Sequence, residues 1–111
     1  MKAEPKVKAL SITVEVPVQD ENLVLATWSI HQWESLFISY RDNTRVPKLR
    51  EQYDVARAVL KWASTCGAIT VKLSRPRQRT DKVHFTFEFA NLENMVEFNN
   101  GLESNVIGAV K

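Results

Sequence analysis

Apolar and polar positions alternate without a break from Leu10 through Ile12, Val14, Val16 and Val18, with Ser11, Thr13, Glu15 and Pro17 between them. Period-two alternation of this length predicts a strand with one buried face. Pro17 has no N–H to give a ladder, so this end of the strand is expected on a sheet edge. Further along, Ala26, Ile30, Trp33, Phe37 and Tyr40 follow Leu23 at steps of three and four, with Leu36 widening the stripe. That spacing predicts a helix from about Leu23, with Asp20 as its N-cap. The branched run LVLATWSI also suits a strand, but its alternation is poor and the helical reading is preferred.

Pro47 suits the first turn of a second helix, whose stripe is Leu49, Tyr53, Ala56, Leu60 and Ala63, flanked by Val59 and Cys66. Gly67 supplies the left-handed residue that ends such helices. Two more alternating runs follow, Ile69 to Ser74 and Val83 to Phe89. Between them lies RPRQRTD, which predicts an antiparallel hairpin with a basic tip. Asn91 caps a short third helix carrying Leu92, Met95, Val96 and Phe98 inward, and Val106 to Val110 reads as a last strand weakened by Gly108.

The predicted order is thus β-α-α-β-β-α-β, an α+β domain. It resembles the split βαβ plan of ferredoxin-like folds, which implies a four-stranded antiparallel sheet with the helices on one face. A length of 111 residues fits one domain spanning 1–111, with Met1 to Lys6 expected to be flexible.

Charge changes this picture. The net charge is +2, but residues 41–82 hold eleven Lys or Arg against four acids, which makes them +7. An anionic partner would be drawn to this third of the chain. Lys72, Arg75, Arg77, Arg79 and Lys82 cluster on the predicted hairpin, where guanidinium groups suit bidentate contact with phosphate. Arg41, Arg45, Lys48 and Arg50 form a second group around the break between the first two helices, where a helix N-terminus already favours anions. DNA or RNA is therefore the first candidate partner. The bland alternative is a solvated hairpin whose charge discourages edge-to-edge aggregation.

A protein partner is about equally expected, with the domain acting as a small regulator or inhibitor that docks through a helix face or an open sheet edge. Val24, Trp28, His31 and Ile38 would form a second apolar strip on the first helix, and Trp is enriched in binding hot spots. A homodimer is a further expectation, by analogy at the level of fold alone. The segment KVHFTFEF has the frame of the central strand of an RNA-recognition motif, but its outward positions hold His84 and Thr86 instead of aromatics. No base-stacking sheet is expected.

Catalysis is disfavoured. Cys66, the one cysteine, falls on the apolar side of the last turn of a helix, where the dipole opposes a thiolate. One cysteine and two distant histidines, His31 and His84, give no metal-ligand spacing. No phosphate loop, GxSxG elbow or HExxH pair occurs, and no cofactor is implied. Without a leader-like or membrane-spanning apolar run, and with no cysteine pair, a cytoplasmic binding module is the expectation.

Overall fold

The computed structural model describes residues 10–20, 23–75 and 81–102. Their elements are β1 (Leu10–Val16), β2 (Thr27–Ser29), α1 (Ile30–Asn43), α2 (Pro47–Thr65), β3 (Thr70–Ser74), β4 (Val83–Phe89) and α3 (Leu92–Leu102). The fold is α+β, with three helices and a four-stranded antiparallel sheet in the order β1-β4-β3-β2. That order is not the ferredoxin-like one. The fourth strand is β2, beside β3, and it comes before the first helix. Met1 to Lys6, Arg77, Arg79 and Val106 to Val110 lie outside the described residues.

The first helix begins seven residues later than its periodicity predicts. Ser29 is the N-cap, its hydroxyl accepting the Gln32 N–H at 3.2 Å, and the helix opens at Ile30. Asp20 does not cap it. The helical steps between Leu23 and Ile30 are overridden by pairing with β3. Thr27, Trp28 and Ser29 oppose Lys72, Val71 and Thr70, and bonds from Leu73 N to Ala26 O and from Ile30 N to Ile69 O extend the ladder. Trp28 therefore belongs to β2 and Val24 to the segment before it, so the predicted helical strip of Val24, Trp28, His31 and Ile38 does not form.

α2 agrees with its reading. Pro47 occupies its first turn, Tyr53, Ala56, Val59, Leu60 and Ala63 are buried, and Gly67 follows at φ +97°. A Cβ on Gly67 would stand 2.9 Å from Asn94 Nδ2, so glycine also lets α3 approach.

The inward faces of β4 and β3 are Val83, Phe85, Phe87, Phe89, Val71 and Leu73, all buried. An aromatic chain crosses the core. Trp33 stacks on Phe37, with centroids 5.7 Å apart, and Phe37 lies parallel to Phe85 at 6.0 Å. Phe87 and Phe89 meet Phe98 of α3 at 5.2 and 5.4 Å. Trp62 Nε1 donates to Phe98 O at 3.0 Å, tying α2 to α3, whereas Trp33 Nε1 is buried with no hydrogen-bond partner. Three expected core positions are displaced. Ile69 is 74% exposed, in the connection between α2 and β3, where its carbonyl accepts the Ile30 N–H. In α3 only Phe98 is buried, while Leu92 and Val96 are exposed.

The opposite face of the sheet is polar. Ser11, Thr13 and Glu15 lie across from Glu88, Thr86 and His84, and Thr86 and His84 lie across from Lys72 and Ser74. The Thr13 and Thr86 hydroxyls are 2.9 Å apart.

Candidate anion-binding end of the domain

The strand directions bring Arg75 and Lys82, at the root of the β3–β4 hairpin, to the same end of the molecule as the start of α2. α2 runs away from its N-terminus at Pro47 and β3 runs back, so Ser74 and Arg75 finish near where α2 starts. Side-chain bonds fix this meeting. Gln52 Oε1 accepts Gln19 N–H at 2.9 Å, and the Tyr53 hydroxyl donates to Asp20 Oδ2 at 2.6 Å. Arg75 reaches across the same junction. Its Nη2 donates to Asp20 O at 2.8 Å, and its Nη1 to Val18 O at 3.3 Å and Lys82 O at 3.4 Å. The end of β1, the roots of β3 and β4, the first turns of α2 and the last turn of α1 are thereby gathered together.

The predicted basic residues divide by role. Arg75 is half-buried and spends its guanidinium on three carbonyls, so it anchors the hairpin and does not stand clear in water. Lys82 sits 3.7 Å from Glu15 Oε1 on the polar sheet face, where His84 Nε2 is 3.5 Å from Glu15 Oε2. Arg41 is held by Asp54 at 2.6 Å and Asp42 at 3.4 Å. Arg50 is exposed and donates to Arg41 O at 3.3 Å. Arg45 and Lys48 are exposed beside the first turn of α2, which has no acidic residue and no capping side chain. Lys72 is exposed, farther along on the polar sheet face.

The anchor itself was missed by sequence reasoning. Nothing local distinguishes Arg75 from its basic neighbours, because its carbonyl partners at Val18 and Asp20 lie 57 and 55 residues away. A polar Gln52 beside Tyr53, on the edge of an apolar stripe, is the one hint that α2 meets a polar segment there.

Tyr53 is held protonated well beyond its ordinary range. Burial is the main cause, followed by its hydrogen bond to Asp20 and the charge on that carboxylate. The Tyr40 phenol, its ring centroid 5.6 Å from that of Tyr53, is raised by burial and by the Asp20 charge. A folded-state pKa above the unfolded value, about 10, means that this contribution is complete below that pH and is lost as the pH rises through the folded value. Urea-unfolding stability is therefore expected to fall as the pH is raised above about 10, and Tyr53→Phe is expected to fall less steeply over the same range. Parallel slopes for the two proteins would separate Tyr53 from the alkaline loss.

The predicted protein-contact residues are dispersed. Trp28 and His31 line one open groove with Gln32, Ser35, Leu36 and Ser39. Ile38 lines another, between α1 and α2, with Glu34, Asp54, Arg57, Ala58 and Lys61. Val24 belongs to neither. Cys66 is buried, and burial followed by the charge of Glu97 pushes its thiol up. Among the described residues no three His, Cys, Asp or Glu side chains come close enough to hold a metal, and no helix is long and apolar enough to cross a membrane.

The molecule is a small α+β domain with a gathered, polar and basic end. Comparisons with protein-family models, with curated proteins and with solved structures gave no match.

Proposed function

We propose that the domain is a binding module for polyanions, nucleic acid first among them, and that it uses the end where the α1–α2 turn meets the root of the hairpin. The observation that supports this reading is that the Arg75, Asp20 and Tyr53 contacts hold the root of the β3–β4 hairpin against the first turns of α2, where Arg45, Lys48 and Arg50 are exposed. Arg45, Lys48 and Arg50 contribute exposed charge beside a helix N-terminus, where free N–H groups and the dipole already attract phosphate. Arg77 and Arg79 of the connecting segment are the second group, with Lys72 on the adjoining sheet face. Arg75 supports the site from beneath, and Lys82 is partly spent on Glu15.

Binding of labelled single- and double-stranded oligonucleotides across a salt series tests this. The parent is expected to bind with an affinity that falls steeply with salt. An Arg45→Ala/Lys48→Ala/Arg77→Ala/Arg79→Ala variant is expected to bind roughly tenfold or more weakly, with a salt slope smaller by about one for each lost phosphate contact. Equal affinity of variant and parent, or no binding by the parent at low salt, overturns the proposal. Docking of a protein at the Trp28 groove is a second reading, with less support because Val24 and Ile38 do not share that groove.

A further inference from the structure

The two edges of the sheet differ. β2 is three residues long, too short to template another strand. β1 is seven residues long and pairs only with β4 among the described residues. Its other side presents backbone N–H and C=O groups without a bulge, a lysine or an internal proline to discourage pairing.

The side chains along this edge are also incompletely covered. Val16 is 1% exposed, but Leu10, Ile12 and Val14, on the same inward face, are only half-buried. α3 continues the deficit. Its Asn94 and Phe98 carbonyl face α2, through Gly67 and Trp62, and Phe98 faces the sheet. α3 packs over β1 and β4, and the helical repeat directs Leu92 and Val96 to its flank away from α2. They are 57% and 44% exposed. A backbone edge unpaired among the described residues and an apolar strip on two elements thus lie close together.

We infer that this border is where a second copy of the chain docks, β1 pairing antiparallel with its counterpart about a two-fold axis through Thr13. The β1 sequence complements itself in that register. On the inward face Leu10 meets Val16 and Ile12 meets Val14 of the other copy. On the polar face Ser11 meets Glu15, and Thr13 meets Thr13. No like charges oppose one another, and cross-strand pairs of these kinds are favourable. Centring the axis on Thr13 is also the one register that pairs all seven residues. It joins two four-stranded sheets into one of eight, and it brings the two α3 flanks together so that Leu92 and Val96 leave water. Strand pairing alone is small for a stable dimer. Specific interfaces bury about 1,200 Å² in total or more, so the helix flanks must take part beside the strands. This inference is independent of polyanion binding.

The axis makes it testable through charge. Thr13→Lys and Thr13→Glu each place like charges opposite one another in the dimer, while in the single chain each changes one exposed side chain and its contact with Thr86. The parent is expected to sediment as a dimer at about 100 μM, and each variant as a monomer with the dissociation constant raised roughly 100-fold or more. An equimolar mixture of the two variants is expected to restore a dimer containing one of each, which a misfolded variant could not do. Val96→Glu is expected to weaken the parent dimer through the helix flank. A monomeric parent at that concentration overturns the inference, and protection of its β1 amides from hydrogen exchange would then assign the edge to another part of the same chain. Variants that dimerise as the parent does, or a mixture that stays monomeric, overturn the Thr13 axis.

Discussion

Replacing Phe37 by alanine is expected to remove about 4 kcal/mol of folding stability, the largest loss from any single side chain considered for this domain. Phe37 is fully buried and stands at the junction of the aromatic chain, within 5.7 to 6.2 Å of Trp33, Tyr40, Tyr53 and Phe85, measured between ring centroids. It is the point where α1, α2 and the sheet share one contact. Truncation removes the transfer free energy of the ring and leaves a space lined by rigid aromatics, which collapse poorly into a void. Domains of this size are stable by roughly 5 to 15 kcal/mol, so the variant would be marginal. Urea unfolding should show a much lower midpoint at an unchanged slope, and Phe37→Leu should recover more than half of the loss. A loss below about 1.5 kcal/mol would mean that the neighbouring rings close the gap, contrary to this packing argument.

The second large effect is expected at Arg75. Arg75→Ala leaves the carbonyls of Val18, Asp20 and Lys82 without their common donor at a half-buried junction. Hydrogen bonds from a charged donor contribute about 1.5 to 3 kcal/mol, and several share this one side chain, so a loss of roughly 2 to 3 kcal/mol is expected. Arg75→Lys should rescue little, because an ammonium on a flexible stem cannot reproduce a planar fork. Arg45→Ala, exposed and without a hydrogen bond in this junction, should change stability by less than about 0.5 kcal/mol. This contrast separates the anchoring arginine from the arginines available to a ligand. Comparable losses at Arg75 and Arg45 would contradict the division.

These roles show what was legible in the residues alone. α2 was readable at both ends because Pro47, the apolar stripe along its 19 residues and Gly67 agree with one another. β1 and β4 were readable because each alternates over seven residues. The segment before α1 was not. Its apolar residues fit helical steps, yet Thr27 to Ser29 form a strand because β3, more than forty positions away, offers a ladder. Tertiary pairing outweighed local periodicity there. Asp20 has the chemistry of a cap, and Ser29 won that role because Tyr53 and Arg75 hold Asp20 elsewhere. In α3 the apolar character of Leu92 and Val96 suggested core positions. The sheet beneath is filled by Phe98 and Met95, so those two are left on the outer flank. The basic cluster was visible as composition, but which of its members bind backbone and which face water depends on contacts across the whole chain.

The longest ladder of the sheet joins Thr13 to Thr86, 73 residues later. On the ribosome β1 therefore emerges long before its only described neighbour exists. At typical elongation rates the wait is on the order of 4 to 15 s, far longer than the formation of α1 or α2. Throughout that interval a β-branched strand is exposed with Glu15 as its one charge. Nascent chains made in large numbers are consequently most prone to associate through β1, and a lower rate of initiation or a holdase chaperone should raise the yield of folded protein more than lower temperature after release.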